Sequence, residues 1–211
     1  MFGIDAGVVT NAAPYADVSP TSVGDPIRLV HSGACLRDRN IVGIVEAVEA
    51  SASGATLDLY LTPNDPEHLE ELKTRAAASD RIVVHDPVPY SELIETLNAF
   101  DVGVHILPPV SFNNAWALPN KFFDYVQARL GLIIGPSHEM ARLLNEYGCG
   151  VVADDFSSDA LAAVLDNLTP EQVRGFKQSS DAAAHDLSAE SQVAIWGAAI
   201  ARLVQTDASP A

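Results

Sequence analysis

Short apolar runs rich in β-branched residues recur along this chain, at residues 27–32, 57–62, 81–85, 102–107, 132–135 and 150–153. Between them the apolar spacing changes to that of a helix. Residues 41–50 bring Ile41, Ile44, Val45 and Val48 onto one face, 66–78 are charged along one face, and 92–100 repeat Leu93, Ile94 and Leu97. Helical patterns follow at 121–130, 138–147 and 159–168; in the first of these Phe122, Val126 and Leu130 form the stripe expected to be buried. Strands that alternate with helices predict a parallel sheet covered on both faces, with right-handed crossovers: a doubly wound α/β domain of six strands.

Two extra helices close the chain. Thr169, Pro170 and Gln172 are an N-cap, a first-turn proline and a capping-box partner. Residues 188–204 then set Ile195, Ala198, Ala199 and Leu203 along one face. The expected division is a hinge or linker at 1–26, a ligand-binding domain at 27–204 and a frayed tail at 205–211. Residues 11–26 read as linker because three prolines and scattered small residues break any periodicity. The residues ahead of them are too few for a domain, and the expectation is that another domain belongs upstream.

Composition narrows the function. Of 211 residues 48% are hydrophobic, enough for a substantial core, while 12 basic against 28 acidic side chains give a net charge of −16. A uniformly basic nucleic-acid surface is thereby excluded. Cys35 and Cys149 form no metal-ligand pattern and suit a reducing interior. No apolar run approaches the ~20 residues of a membrane span, and the chain reads as a cytoplasmic protein without a transmembrane segment.

In an open parallel sheet, ligands bind beyond the C-terminal strand ends, where the strand order reverses. For the common six-strand order this crevice lies between the loops after the first and fourth strands. The first of these, "SGACLRDRN", carries Gly33, Arg37 and Arg39; the other, "PPVSFNNAWALPN", is unusually long and feeds into Lys121. A lysine at a helix N-terminus opposes the macrodipole. A bound anion, best a diphosphate, offsets both charges, and the N–H groups of the first turn point at it. The alternative is a solvated surface lysine. Asp124, three residues on, shares the face of Lys121 and suits ribose hydroxyls, or simply pairs with Lys121. In "GPSHE" the N-cap is expected at Ser137, with His138 facing solvent or the ligand. His31 and His105 read as hydrogen-bonded core histidines, and His68 and His185 as exposed. No histidines have metal-ligand spacing, and no GxSxG elbow, Walker loop or GxGxxG fingerprint occurs. No metal and no cofactor are therefore expected.

The stretch "ALPNKFFDYVQARLGLIIGP" resembles the donor-binding segment of GT-B glycosyltransferases, particularly the large retaining family 4. "DPVPYSELIETLNAFDVGVHILP", "IRLVHSGACLRDRNIVGIVEAV" and the hinge-like "VVTNAAPY" extend the resemblance over most of the chain. It implies a Rossmann-like domain, the C-terminal half of a GT-B fold, that binds a UDP- or GDP-sugar. By that resemblance Gly33, Arg37, Arg39 and Lys121 meet the diphosphate, and Asp124 holds the ribose. Pro87, Val88 and Pro89 line the base. Trp116, Asn120, Gly135, Ser137, His138 and Glu139 approach the sugar or diphosphate. The family's paired glutamates are replaced by Trp116 and Asp124, and no general base can be named. The implied function is donor binding in a hexosyltransferase-type enzyme, with little transfer by this domain without its acceptor domain. The alternatives are a non-catalytic domain binding a sugar nucleotide or partner protein, and a nucleotide-sugar epimerase of the same architecture.

Overall fold

A computed structural model of the chain describes residues 8–207. Six strands, β1 (Arg28–Ala34), β2 (Thr56–Thr62), β3 (Ile82–His85), β4 (Val102–His105), β5 (Gly131–Ile134) and β6 (Gly150–Val152), form one sheet. Every ladder is parallel, and the order is β3-β2-β1-β4-β5-β6. β4 and β5 are buried along their whole length, so their apolar runs are continuous, as strands covered on both faces require. β2 alternates instead: Leu57, Leu59 and Leu61 are fully buried, while Asp58 and Tyr60 occupy the other face half-buried.

Nine helices of the described residues connect and cover the strands: α1 (Ile41–Ala50), α2 (Pro66–Ala76), α3 (Tyr90–Asn98), α4 (Phe112–Ala115), α5 (Asn120–Gln127), α6 (His138–Tyr147), α7 (Ser158–Asn167), α8 (Pro170–Ala183) and α9 (Ala189–Asp207). One core joins Ile44 and Val48 of α1, Leu72 of α2 and Leu161 of α7 to the sheet. The other joins Leu97 of α3, Phe122 and Val126 of α5 and Leu144 of α6. α8 begins in the first core with Val173 and ends in the second with Ala183, clamping the two layers. Its start carries the capping box of Thr169 and Gln172, with Pro170 at the first position. Each fully buried Leu, Ile or Phe in these cores contributes about 1.5–3 kcal/mol of hydrophobic stabilisation.

Residues 11–26 do not hang free. Ala16 donates its N–H to Gln127 Oε1 (3.0 Å), and its carbonyl accepts from Arg129 (2.8 Å). Ala189 donates to the Ala13 carbonyl, and the Glu190 carboxylate accepts from the Tyr15 N–H. Gln127 and Arg129 are themselves fully buried, so this segment forms an extended strap over α5 and the start of α9. A short helix, α4, stands in the long loop after β4, where the apolar pattern gave no signal. His68, read from sequence as exposed, is buried: it lies on the α2 stripe with Leu69 and Leu72, with Nδ1 3.2 Å from Glu71. α9 runs past the expected end at 204. The remaining tail residues, 208–211, and residues 1–7 of the expected hinge lie outside the described residues.

Candidate functional site

β1 is central in the sheet: the chain leaves it for β2 on one side and, after β3, crosses back to add β4 on its other side. That divergence opens a crevice above the C-terminal ends of β1 and β4. A cavity of about 470 Å³ lies there. Its walls are the end of β1 with Ser32 and Gly33, the end of β2 with Tyr60 and Thr62, the β3–α3 connection, and the first turn of α5.

Lys121 is the second residue of α5 and lines this cavity. Among the described residues its ammonium has no hydrogen bond and no ion pair. The ion pair with Asp124 that sequence left open as an alternative does not form. Burial, assisted by the charge of Arg39, lowers the Lys121 pKa from 10.5 to about 8. The backbone of Gly33 explains how the lysine fits. Its φ of +137° favours glycine, and a Cβ there would stand 2.6 Å from Lys121 Nζ.

Two histidines lie near this charge, His31 in the middle of β1 and His105 at the end of β4. His31 and His105 are buried, with their rings stacked at 6.0 Å and 28°. His31 Nδ1 lies 2.8 Å from the Val104 carbonyl, but its Nε2 and both ring nitrogens of His105 lack partners among the described residues. The expectation of two hydrogen-bonded core histidines thus holds for one nitrogen only. Burial and the neighbouring Lys121 push His31 down to about 3 and His105 well below its ordinary value, so both are neutral.

One turn along α5, Asp124 is 4% exposed and lines the same cavity. It accepts a hydrogen bond from the Tyr90 hydroxyl at 3.2 Å. Burial raises its pKa to about 6, against the opposing effects of Tyr90 and Lys121. Partial desolvation and the neighbouring Asp124 carboxylate move the Tyr90 phenol up to about 12, so it stays a donor. An unpaired ammonium and an under-neutralised carboxylate, both desolvated, face one cavity. This arrangement matches a ligand bearing an anion at one end and hydroxyl donors further along.

The remaining candidates divide. Asn120, Pro87 and Val88 also line the cavity, with Asn120 accepting from Asn11 at 2.9 Å. Arg39 lies close enough for its charge to act on Lys121 and His105, and its nearest acid is Asp38 at 3.6 Å. Arg37 is turned to α2 and is held by Glu71 (2.8 and 2.9 Å) and Asp65 (3.3 Å). Pro89 is the N-cap residue of α3, outside the cavity wall. Trp116, half exposed, stacks on His138 at 4.6 Å and 19°. Gly135 packs against Phe156, and Glu139 pairs with Arg142 at 3.2 Å. Ser137 holds the N-cap position of α6 without a capping bond; its Oγ is buried and has no partner among the described residues. Tyr60, Tyr90, Ser32, Thr62 and Leu93 were missed by sequence reasoning. The alternation of "LDLYLT" does place Asp58, Tyr60 and Thr62 on one side of β2, but nothing in it says that this side opens to a ligand. Among the described residues no group of three or more His, Cys, Asp or Glu gathers where a metal ion could be held, and no helix is long and apolar enough to cross a membrane.

With this geometry in place, solved structures identify the fold. It is that of an α/β domain of GT-B glycosyltransferases, each matched over part of its length. The pneumococcal O-GlcNAc transferase GtfA, solved with UDP and GlcNAc, superimposes with a TM-score of 0.69 at 16% identity, over 91% of this chain and 38% of its own. HepE of Anabaena, solved with UDP-glucose, matches with a TM-score of 0.66 at 13% identity, over 85% and 49%. The trehalose 6-phosphate synthase of Burkholderia multivorans matches at 0.65 and 14%, over 88% and 45%. The chain thus spans less than half the length of these enzymes. No protein-family model matches the sequence, and no curated protein sequence matches it significantly.

Proposed function

We propose that this chain is the donor-binding domain of a glycosyltransferase, holding a nucleoside diphosphate-sugar (UDP- or GDP-linked) while an acceptor domain presents the hydroxyl that receives the sugar. The observation that carries the proposal is the unpaired Lys121 ammonium seated against Gly33 in the switch-point cavity. Lys121, Arg39 and the first-turn N–H groups of α5 face the diphosphate; Asp124, braced by Tyr90, accepts from the ribose hydroxyls. As the glycosidic bond breaks, negative charge grows on the departing diphosphate. A preorganised cation in a desolvated pocket stabilises that charge more than it stabilises the bound donor. The charge is met by these side chains, so the proposal assigns no metal ion to the site. Trp116 and the turn at Ser137, His138 and Glu139 border the sugar side. A cytoplasmic location goes with this reading. UDP in GtfA and UDP-glucose in HepE support a uridine donor.

Calorimetric titration of UDP and GDP tests the site. Removing a charge-assisted phosphate contact costs about 1.5–3 kcal/mol, so Lys121→Ala is expected to weaken binding by roughly tenfold to 150-fold. Arg39→Ala is expected to weaken it in the same direction. Unchanged affinity in both variants rules the assignment out. The chain alone is expected to bind donor without transferring sugar, and transfer is expected once an acceptor domain is supplied. Donor consumption without any acceptor would indicate an epimerase.

A further inference from the structure

The cavity is polar at one end and apolar at the other. It starts at α5, which follows β4, crosses β1 and β2, and ends at the connection after β3. Lys121 and Gly33 mark the anion end; Pro87, Val88 and Leu93 supply the apolar part of the wall. Two phenols, Tyr90 and Tyr60, line the cavity. Tyr90 is committed to Asp124. The Tyr60 hydroxyl has no hydrogen-bond partner among the described residues.

Tyr60 is also held more firmly than a wall residue needs to be. It sits directly opposite His85 in the β2–β3 ladder, and the two rings stack at 4.5 Å and 11°. His85 Nε2 is in turn anchored on the Asp58 carboxylate at 2.5 Å, and Phe100 meets Tyr60 edge-on at 6.1 Å. Asp58 and Tyr60 are two residues apart on one face of β2, so strand geometry alone brings acid, imidazole and phenol together. A carboxylate adds nothing to the burial of a tyrosine. What it does is stop the imidazole, and therefore the stacked phenol, from rotating. Burial and the Asp58 charge both keep the phenol protonated. In pockets of this kind, a few fixed polar groups in an apolar wall decide which ligand is accepted.

We propose that Tyr60 reads the nucleobase edge of the bound donor and that His85 and Asp58 are positioning residues that fix its hydroxyl. The proposal rests on the donor-binding reading above. Given that reading, the base occupies the apolar end because the diphosphate occupies the Lys121 end. A hydroxyl that hydrogen-bonds a ligand edge discriminates against ligands that cannot complete the bond.

The test measures dissociation constants of UDP, CDP, GDP, ADP and inorganic pyrophosphate for the wild-type chain and for Tyr60→Phe, His85→Ala and Asp58→Asn. The wild type is expected to separate the bases, and Tyr60→Phe to narrow that spread by about five- to tenfold, the worth of one hydrogen bond. Pyrophosphate affinity should stay within about twofold of wild type, since the contacts assigned to the diphosphate come from Lys121, Arg39 and the first turn of α5. His85→Ala should narrow the spread as well, while Asp58→Asn, which keeps a polar anchor, should recover part of it. A spread unchanged in Tyr60→Phe, a pyrophosphate loss equal to the nucleotide loss, or a wild type indifferent to the base overturns this proposal and leaves the donor site standing. A wild type that binds neither nucleotide nor pyrophosphate overturns both readings.

Discussion

Asp124→Asn separates what the site costs from what it does. The wild-type carboxylate is almost completely buried and its pKa is raised from 3.8 to about 6. At about 1.4 kcal/mol per pH unit, holding it ionised at neutral pH destabilises the ligand-free fold by about 3 kcal/mol. The sign follows from protonation. The native state binds the Asp124 proton more tightly than the unfolded chain does. Its stabilising contribution is therefore complete below pH 3.8 and is lost as pH rises through about 6. Asparagine has the same shape, still accepts from Tyr90 and does not titrate, so the variant is expected to be more stable above that range. Allowing for its newly buried amide donors, about 1–3 kcal/mol should remain. For a chain of this size that is roughly 2–12 °C in melting temperature. Urea unfolding followed by circular dichroism at about pH 7.5 and about pH 5 measures it; the gap between the two proteins should shrink at the lower pH. Nucleotide affinity should fall in the same variant, because one ribose acceptor becomes a donor. A variant no more stable than wild type at the higher pH, or a gap indifferent to pH, refutes the claim that this carboxylate is desolvated.

Three further outcomes follow from the same coordinates. Donor affinity should be bell-shaped in pH: it falls as Lys121 loses its proton through about 8 and as Asp124 gains one through about 6. Titrating a nucleotide-sugar, whose diphosphate does not itself titrate there, measures this, and a flat profile contradicts it. Gly33→Ala sets a methyl group against Lys121 Nζ in a backbone region that costs non-glycine residues about 1–3 kcal/mol. It should lower both melting temperature and nucleotide affinity; wild-type values for both contradict the packing described. Asp101, fully buried, accepts from the Gly24 N–H, the Arg28 N–H and the Arg28 guanidinium, and lies 3.9 Å from Lys177. Asp101→Ala leaves those donors unpaired and should destabilise the fold by about 3–5 kcal/mol in urea unfolding, with ligand affinity of the remaining native protein unchanged.

Periodicity determined the elements of this protein because strands and helices bury apolar residues at spacings that local sequence cannot disguise. The runs of β4 and β5 are buried on both faces, and α1 and α6 begin and end where their apolar spacing places them. Alternation of strands and helices then left few topologies, and the loops after β1 and β4 were legible as the edges of a crevice. Lys121 and Asp124 could be placed there because three residues along a helix is a fixed geometry. What the chain does across distance was decided by tertiary structure. "RDRN" and "NKFF" each present basic residues in the loops after β1 and β4, but only packing shows Lys121 unpaired in the cavity and Arg37 drawn off by Glu71 of α2 and by Asp65, its N-cap. Pairing of charges depends on which side chains meet, and α2 meets the β1 loop only once β2 has crossed over. Tyr60 and Tyr90 line the cavity for the same reason. One lies on a strand and one on a helix 30 positions later, and the sheet order β3-β2-β1-β4 is what turns both towards the first turn of α5.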